Sequence, residues 1–390
     1  MTTRPVSGAS LALALALAAA LAWSPPATAA EPPDLTEVVV AEMRERAPVA
    51  AAAGDRTARV AADRRAGDWA FGTAVLTTRP GSEQLPEGWL FLAHRAGGAW
   101  TVALEGEPAF ADLAGRAPLV GEEERALLVR QDGRRDVGAT AGNDLRTGMA
   151  LPFAVGQSWS MTSGPHGWSG SAAPWSSLDL AGGDQRVLAA RAGAAYTMCT
   201  GWLRVIHDRG YATDYYHLWN SISVNGAAVG QGAFLGNTGT DVTCGGSASG
   251  RHVHFGLRQH NAYVGIAQHN IGKWVPQAGG AAYQGSALHG SARVNAGGAL
   301  YNYGALGFTQ GVVDANGGGT VNKRTGPGTG YGLAGAVADG TTVGIACSAN
   351  GTSHTGRWGT SALWNRLTDG TWVSDAYLWT GVNGALNGNC

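Results

Sequence analysis

The sequence predicts a mainly β protein preceded by a small α+β region, and three observations carry that prediction. From about residue 147 onward the chain consists of short β-branched and aromatic runs separated by glycines, with little helical periodicity. Ahead of it, residues 34–53 (DLTEVVVAEMRERAPVAAAA) place apolar side chains at helical spacing, and Trp69 to Thr77, Gly88 to His94 and Ala99 to Leu104 read as strands. Between the two the charge breaks: residues 31–140 hold 13 arginines and 18 acidic residues, whereas the 250 residues from 141 to 390 hold 13 basic residues, 10 aspartates and no glutamate. The shift coincides with the polar stretch Gln131 to Arg146, where a domain boundary is placed.

At the N-terminus, Arg4 precedes an apolar run from Leu11 to Trp23, followed by Pro25, Pro26 and small residues through Ala30. Residues 1–30 read as a secretory signal peptide. The run is 13 residues, shorter than the roughly 20 that a membrane-spanning helix needs. Export to an oxidising compartment lets Cys199, Cys244, Cys347 and Cys390 pair. Of the three connectivities that four cysteines allow, Cys199 with Cys244 and Cys347 with Cys390 is preferred, because each pair then closes a loop within one domain. Residues 31–140 come next, with Gly97 and Gly98 suited to a tight hairpin turn. Their net charge of -5 opposes the +3 of residues 141–390, which favours a removable inhibitory pro-domain over a permanent accessory domain.

Residues 141–304 form the predicted β-sheet domain, with a hairpin of Leu203 to His207 and Thr213 to His217 across Asp208-Arg209-Gly210. Within it, His252-Val253-His254-Phe255 is the strongest local signal. Alternate side chains of a strand share a face, so both imidazoles point one way while Val253 and Phe255 enter a core. Asp179 sits between apolar neighbours in Ser177-Leu178-Asp179-Leu180. A buried carboxylate without a partner costs several kcal/mol, so it caps a backbone, pairs with a cation or binds a metal. His166 lies 13 residues earlier, and His217 ends Asp214-Tyr215-Tyr216-His217. Each reads equally as a surface or core residue when taken alone; the ordered set is far more specific.

The segments PHGWSGSAAPWSSLD, ATDYYHL and CGGSASGRHVHF resemble the M23 zinc metallopeptidases, in particular the LasA (staphylolysin) and β-lytic endopeptidase branch. The resemblance covers Leu151 to about Tyr303, and the 12 residues between His166 and Asp179 match that branch and not the short spacing of other M23 enzymes. It implies an antiparallel β-sheet peptidase domain that binds one zinc ion through His166, Asp179 and His254, with His217 and His252 beside the metal. Three protein ligands and an open fourth position are what a catalytic zinc requires. The family also implies a tyrosine that stabilises the oxyanion, and Tyr283 is the candidate by its distance after His254. The disulfide expected after this tyrosine in the branch has no counterpart here. His94, His207, His260, His269, His289 and His354 read as solvated side chains.

Residues 305–390 open with a Gly-rich linker. Val321-Asn322-Lys323-Arg324-Thr325-Gly326-Pro327-Gly328-Thr329 and Gly340 to Cys347 resemble a bacterial SH3-like domain, which implies a small β-barrel that retains the enzyme on cell-wall peptides. Tyr331, Trp358, Trp364, Trp372, Tyr377 and Trp379 are candidates for its binding face, with at least half expected in the core of so small a domain. The expected function is a secreted, extracellular zinc endopeptidase acting on glycine-containing bonds, with peptidoglycan peptides or other glycine-rich peptides as partners. A monomer is expected, with no nucleic-acid partner and no membrane association once the leader is removed. The alternative is a catalytically inactive wall-binding or regulatory protein on the same fold; such degenerate chains lack a ligand, and all three are present here.

Overall fold

The structure, a computed structural model, describes residues 1–2, 33–47, 56–132 and 144–390. The leader, the end of the expected first helix and most of the boundary stretch lie outside these residues. The first helix runs Leu35–Arg46, capped by the Asp34 carboxylate on the Glu37 N–H at 2.8 Å. Leu35, Val39 and Met43 recur on one side of it and pack on one face of a four-stranded antiparallel sheet, Thr57–Ala66, Trp69–Thr77, Glu87–Ala96 and Ala99–Leu104. Gly97 and Gly98 form the expected hairpin turn, both with positive φ. Two short helices, Pro108–Arg116 and Glu122–Arg130, follow.

The central sheet is antiparallel, in the order Asn225–Val229, Gly193–Cys199, Trp202–Ile206, Tyr211–Tyr216, Val253–Gln259, Ser177–Ala181, Ser158–His166 and Ala299–Tyr301. Its alternation sorts the sequence into two faces. Leu203, Val205, Tyr215, Val253, Phe255, Leu257, Leu178 and Leu180 enter one core with Met149, Leu151, Phe153 and Leu235. Trp202, Tyr196, Met198, Ile206, Ala212 and Tyr216 enter a second core with Phe71, Val75, Leu90, Leu92 and Phe110 of the N-terminal region. By the two-residue period, His254 and Asp179 belong to this second face. The N-terminal sheet thus lies between its own helix and the site-bearing face of the central sheet.

Residues 310–379 form a seven-stranded antiparallel sheet, in the order Leu333–Ala338, Thr320–Arg324, Trp372–Ser374, Gly359–Leu367, Thr342–Gly356, Gln310–Val313 and Leu378–Trp379. The fold is mainly β, as expected. Both expected disulfides form. Trp364, Trp372 and Trp379 are buried, Trp358 and Tyr377 half-buried, and Tyr331 exposed, so half of the proposed aromatic face is core.

One expectation is overturned. His207, His269 and His289 are buried rather than solvated, and His94, His260 and His354 are half-buried. His207 shows the cause: its ring lies between the Ala192 carbonyl at 2.9 Å and the Thr213 hydroxyl at 2.8 Å, so tertiary partners replace water at both nitrogens.

Candidate functional site

Three neighbouring strands build the centre. His254 and Asp179 are direct register partners across the antiparallel pair Val253–Gln259 and Ser177–Ala181, and His166 ends the next strand. The donor atoms converge: His254 Nδ1 is 2.9 Å from Asp179 Oδ1 and 3.2 Å from His166 Nε2, and His166 Nε2 is 3.4 Å from the same carboxylate oxygen. Each of these three groups is buried. One Nδ1 cannot donate a hydrogen bond to both neighbours. Zinc–nitrogen and zinc–oxygen bonds of about 2.0–2.2 Å, set tetrahedrally, separate ligand atoms by about 3.3 Å, close to what is seen. His254 Nε2 is buried without a hydrogen-bond partner among the described residues, so only Asp179 and His166 face this ring's polar atoms. The residues present fit a shared cation.

Electrostatics point the same way. Burial alone would raise Asp179, but hydrogen bonds and charge from His166 and His254 outweigh it and hold the carboxyl well below the usual range. It is therefore anionic at neutral pH. Burial opposes protonation of His166, and the Asp179 carboxylate more than compensates. The Nδ1–H of His166 donates to the Gly164 carbonyl at 2.8 Å, which directs Nε2 toward Asp179.

His217 and His252 stand beside this set. Their ring centroids are 4.8 Å apart, and His217 lies 6.1 Å from His254. Each is oriented from behind: His217 Nδ1–H donates to Asp241 O at 2.8 Å and His252 Nδ1–H to Gly250 O at 2.7 Å, which frees both Nε2 atoms. Burial first, then the neighbouring His252 and His254, pushes His217 down to about 3. The expected hairpin forms, but its second strand ends at Tyr216. His217 instead adopts a left-handed backbone with φ 67°. Such a conformation is uncommon for a residue with a side chain, and at a site it signals a positional constraint.

Tyr283 joins the same cluster, stacked on His166 at 4.3 Å between centroids and 44% exposed. Its backbone exchanges hydrogen bonds with Gly164 and Pro165. The approach depends on Gly164, where a Cβ would come within 2.2 Å of the Gln284 carbonyl oxygen. Trp168, present in the quoted motif but given no role by it, lies 5.0 Å from His254 and donates its indole N–H to Pro86 O at 2.9 Å. Gly256 makes room for it, since a Cβ there would meet the Trp168 ring at 3.0 Å.

The segment 78–86 runs between the loop after His166 and the loop before His252. Leu85 N–H donates to Ser169 Oγ at 2.7 Å, Thr78 N–H to Cys244 O at 3.0 Å and Gly81 N–H to Gly246 O at 2.8 Å. Beneath it, buried Arg204 bonds Asp214 at 2.9 Å within the central sheet and Glu105 of the N-terminal region at 2.5 Å. Nothing in the local sequence marks Glu105 or residues 78–86 as neighbours of the site.

No family model matches the chain. Protease LasA of Pseudomonas aeruginosa is 34% identical over 137 residues, which span 32% of this chain and 32% of LasA. A solved structure of the M23 metalloprotease pseudoalterin is 31% identical, covering 39% of this chain and 97% of that one with a TM-score of 0.37. The β-lytic metalloendopeptidase of Lysobacter enzymogenes is 32% identical over 127 residues, and the match takes in 30% of this chain and 71% of that protein. With that share of the β-lytic enzyme matched and the histidine–aspartate cluster assembled, the chain belongs to the M23 metallopeptidases, in the LasA and β-lytic branch.

Proposed function

We propose that this chain is a secreted zinc endopeptidase that hydrolyses glycine-containing peptide bonds, with peptidoglycan cross-bridges as its substrate. The observation that carries the reading is the convergence of His166, Asp179 and His254, whose ligand atoms all lie within 4.8 Å of one another. Zinc held there supplies Lewis-acid polarisation of the scissile carbonyl and a nucleophile at neutral pH. The chain's own residues then handle the proton. Residues 141–390 contain no glutamate, the usual proton acceptor beside a peptidase zinc, and Asp179 is already engaged. His217 and His252 take the role: backbone carbonyls anchor both at Nδ1, which leaves each Nε2 for the proton. The Tyr283 hydroxyl is assigned to the developing oxyanion.

The glycine preference is carried over from the resemblance of the segments around His166, His217 and His254 to the LasA and β-lytic branch. Two disulfides suit an extracellular protein. Residues 31–140 are assigned as an inhibitory pro-domain, because residues 78–86 bridge the two loops beside the histidines. Residues 305–390 are assigned to wall retention. The test is to incubate protein freed of residues 31–140 with purified walls of different cross-bridge chemistry and to identify the new termini. Newly exposed glycine termini are expected; walls left intact by a zinc-loaded protein would support the inactive, wall-binding alternative.

A further inference from the structure

We infer, on the reading of this chain as a peptidase, that Trp219 and Arg251 form a subsite beside the metal centre that receives a carboxylate of the substrate peptide near the scissile bond. Ring contacts pass in turn from Tyr283 to His166, from His166 to His254 and from His254 to His217. Trp219 follows two residues after His217. Its place is fixed by Gly239, which exchanges both backbone hydrogen bonds with His252, at 3.2 and 3.1 Å. Residues paired in this way send their side chains to the same face, and a Cβ at Gly239 would come within 2.6 Å of the Trp219 ring. The indole therefore lies on the face that carries the His252 imidazole. It is 40% exposed.

Arg251, next to His252, supplies the charge. Its guanidinium lies 4.6 Å from the centre of the Trp219 ring, and its Nε–H and Nη2–H donate to the Thr238 carbonyl at 3.3 and 3.1 Å. The ring thus takes one flat face of the guanidinium and the carbonyl takes one edge. The outer edge, between Nη1 and Nη2, is left for an acceptor. A planar carboxylate matches such an edge with two parallel hydrogen bonds, which makes it the ligand the fork selects. Arg191, Arg204 and Arg209 of the same region each bond a carboxylate of the fold. Arg251 is exposed and has no ion-pair partner among the described residues. Its two contacts hold the side chain in place before any ligand arrives, so less rotamer freedom is lost on binding.

The test uses matched glycine hexapeptides blocked at both ends, with one Glu or one Gln at each position in turn, and a further pair ending in a free carboxylate or an amide. Binding is followed by saturation-transfer NMR on chelator-treated full-length protein, and hydrolysis on zinc-loaded protein freed of residues 31–140. For at least one pair, the carboxylate peptide should bind and be cleaved about three- to tenfold better than its neutral twin at low ionic strength. The two sets tell a side-chain carboxylate from a terminal one. The preference should shrink as salt rises, vanish in Arg251→Ala, return in part in Arg251→Lys, and persist in Arg366→Ala, which removes an exposed arginine of the C-terminal sheet. A binding preference without hydrolysis of any peptide would contradict the peptidase reading and leave the subsite in place. Equal handling of every matched pair, or a preference that survives in Arg251→Ala, would overturn the proposal.

Discussion

At the scale of single residues, the centre depends on which nitrogen of each imidazole is spoken for. Backbone carbonyls of Gly164, Asp241 and Gly250 fix His166, His217 and His252 from behind, whereas His254, among the described residues, has polar contacts with Asp179 and His166 alone. The imidazole pair at 252 and 254 was legible in the sequence because it rests on strand alternation alone. The carbonyls were not: those of Asp241 and Gly250 lie in loops whose path no period predicts, and that of Gly164 lies where the strand Ser158–His166 departs from regular pairing. Tyr283 stacks on His166 without replacing any ligand. Tyr283→Phe should therefore keep zinc and the parent KM while turnover falls by about 10²; unchanged turnover would remove it from the oxyanion role. His207 offers a separate test of burial. Desolvation pushes it down to about 4, while the unfolded side chain titrates near 6.5. Its contribution is therefore complete above pH 6.5 and is lost as pH falls toward 4. Denaturant unfolding of His207→Gln should show a loss between pH 7 and 4.5 that is smaller than the parent's by about 2–3 kcal/mol. Identical pH slopes would contradict the assignment.

At the scale of elements, the hairpin of Trp202–Ile206 and Tyr211–Tyr216 was readable, and so was the burial of Val253 and Phe255. The same alternation shows Trp202, Arg204 and Ile206 on one face but cannot say what covers them. That cover comes largely from the N-terminal region, distant in sequence, and Arg204 records it. Its guanidinium is fully buried, and Asp214 and then Glu105 raise its pKa above the ordinary value despite desolvation. Removing Glu105 withdraws one of two counter-ions from a group that has no access to water. Glu105→Ala should destabilise the protein by roughly 3 kcal/mol in denaturant unfolding. Lys323→Ala, which breaks the exposed pair with Asp369, should cost under about 1 kcal/mol. Equal effects would mean that the Arg204 network is solvated.

At the scale of the molecule, the composition break near residue 140 says nothing of the core that the residues on its two sides share. Phe71, Leu90, Leu92 and Phe110 pack directly on Trp202, Tyr196 and Tyr216, so separating the regions exposes a large aromatic face. A single cut near residue 140 should therefore leave the two pieces co-eluting and the enzyme latent, with activity rising only as residues 31–140 are degraded. Activity equal in the intact and degraded forms would contradict inhibition. The C-terminal region is also anchored: Ser291 bonds Asp339 at 2.8 Å and Arg146 bonds the Phe308 carbonyl at 2.7 Å. The central claim remains that three of the five neighbouring donors hold zinc and two move protons. It is tested most directly by measuring zinc content and peptide hydrolysis together, on protein freed of residues 31–140 and on three variants of it. The account predicts one zinc in the parent, none in His254→Ala, and retained zinc with turnover lowered about 10²- to 10⁴-fold in His217→Ala and His252→Ala. A zinc-free His252→Ala protein, or a fully active His217→Ala one, would contradict it.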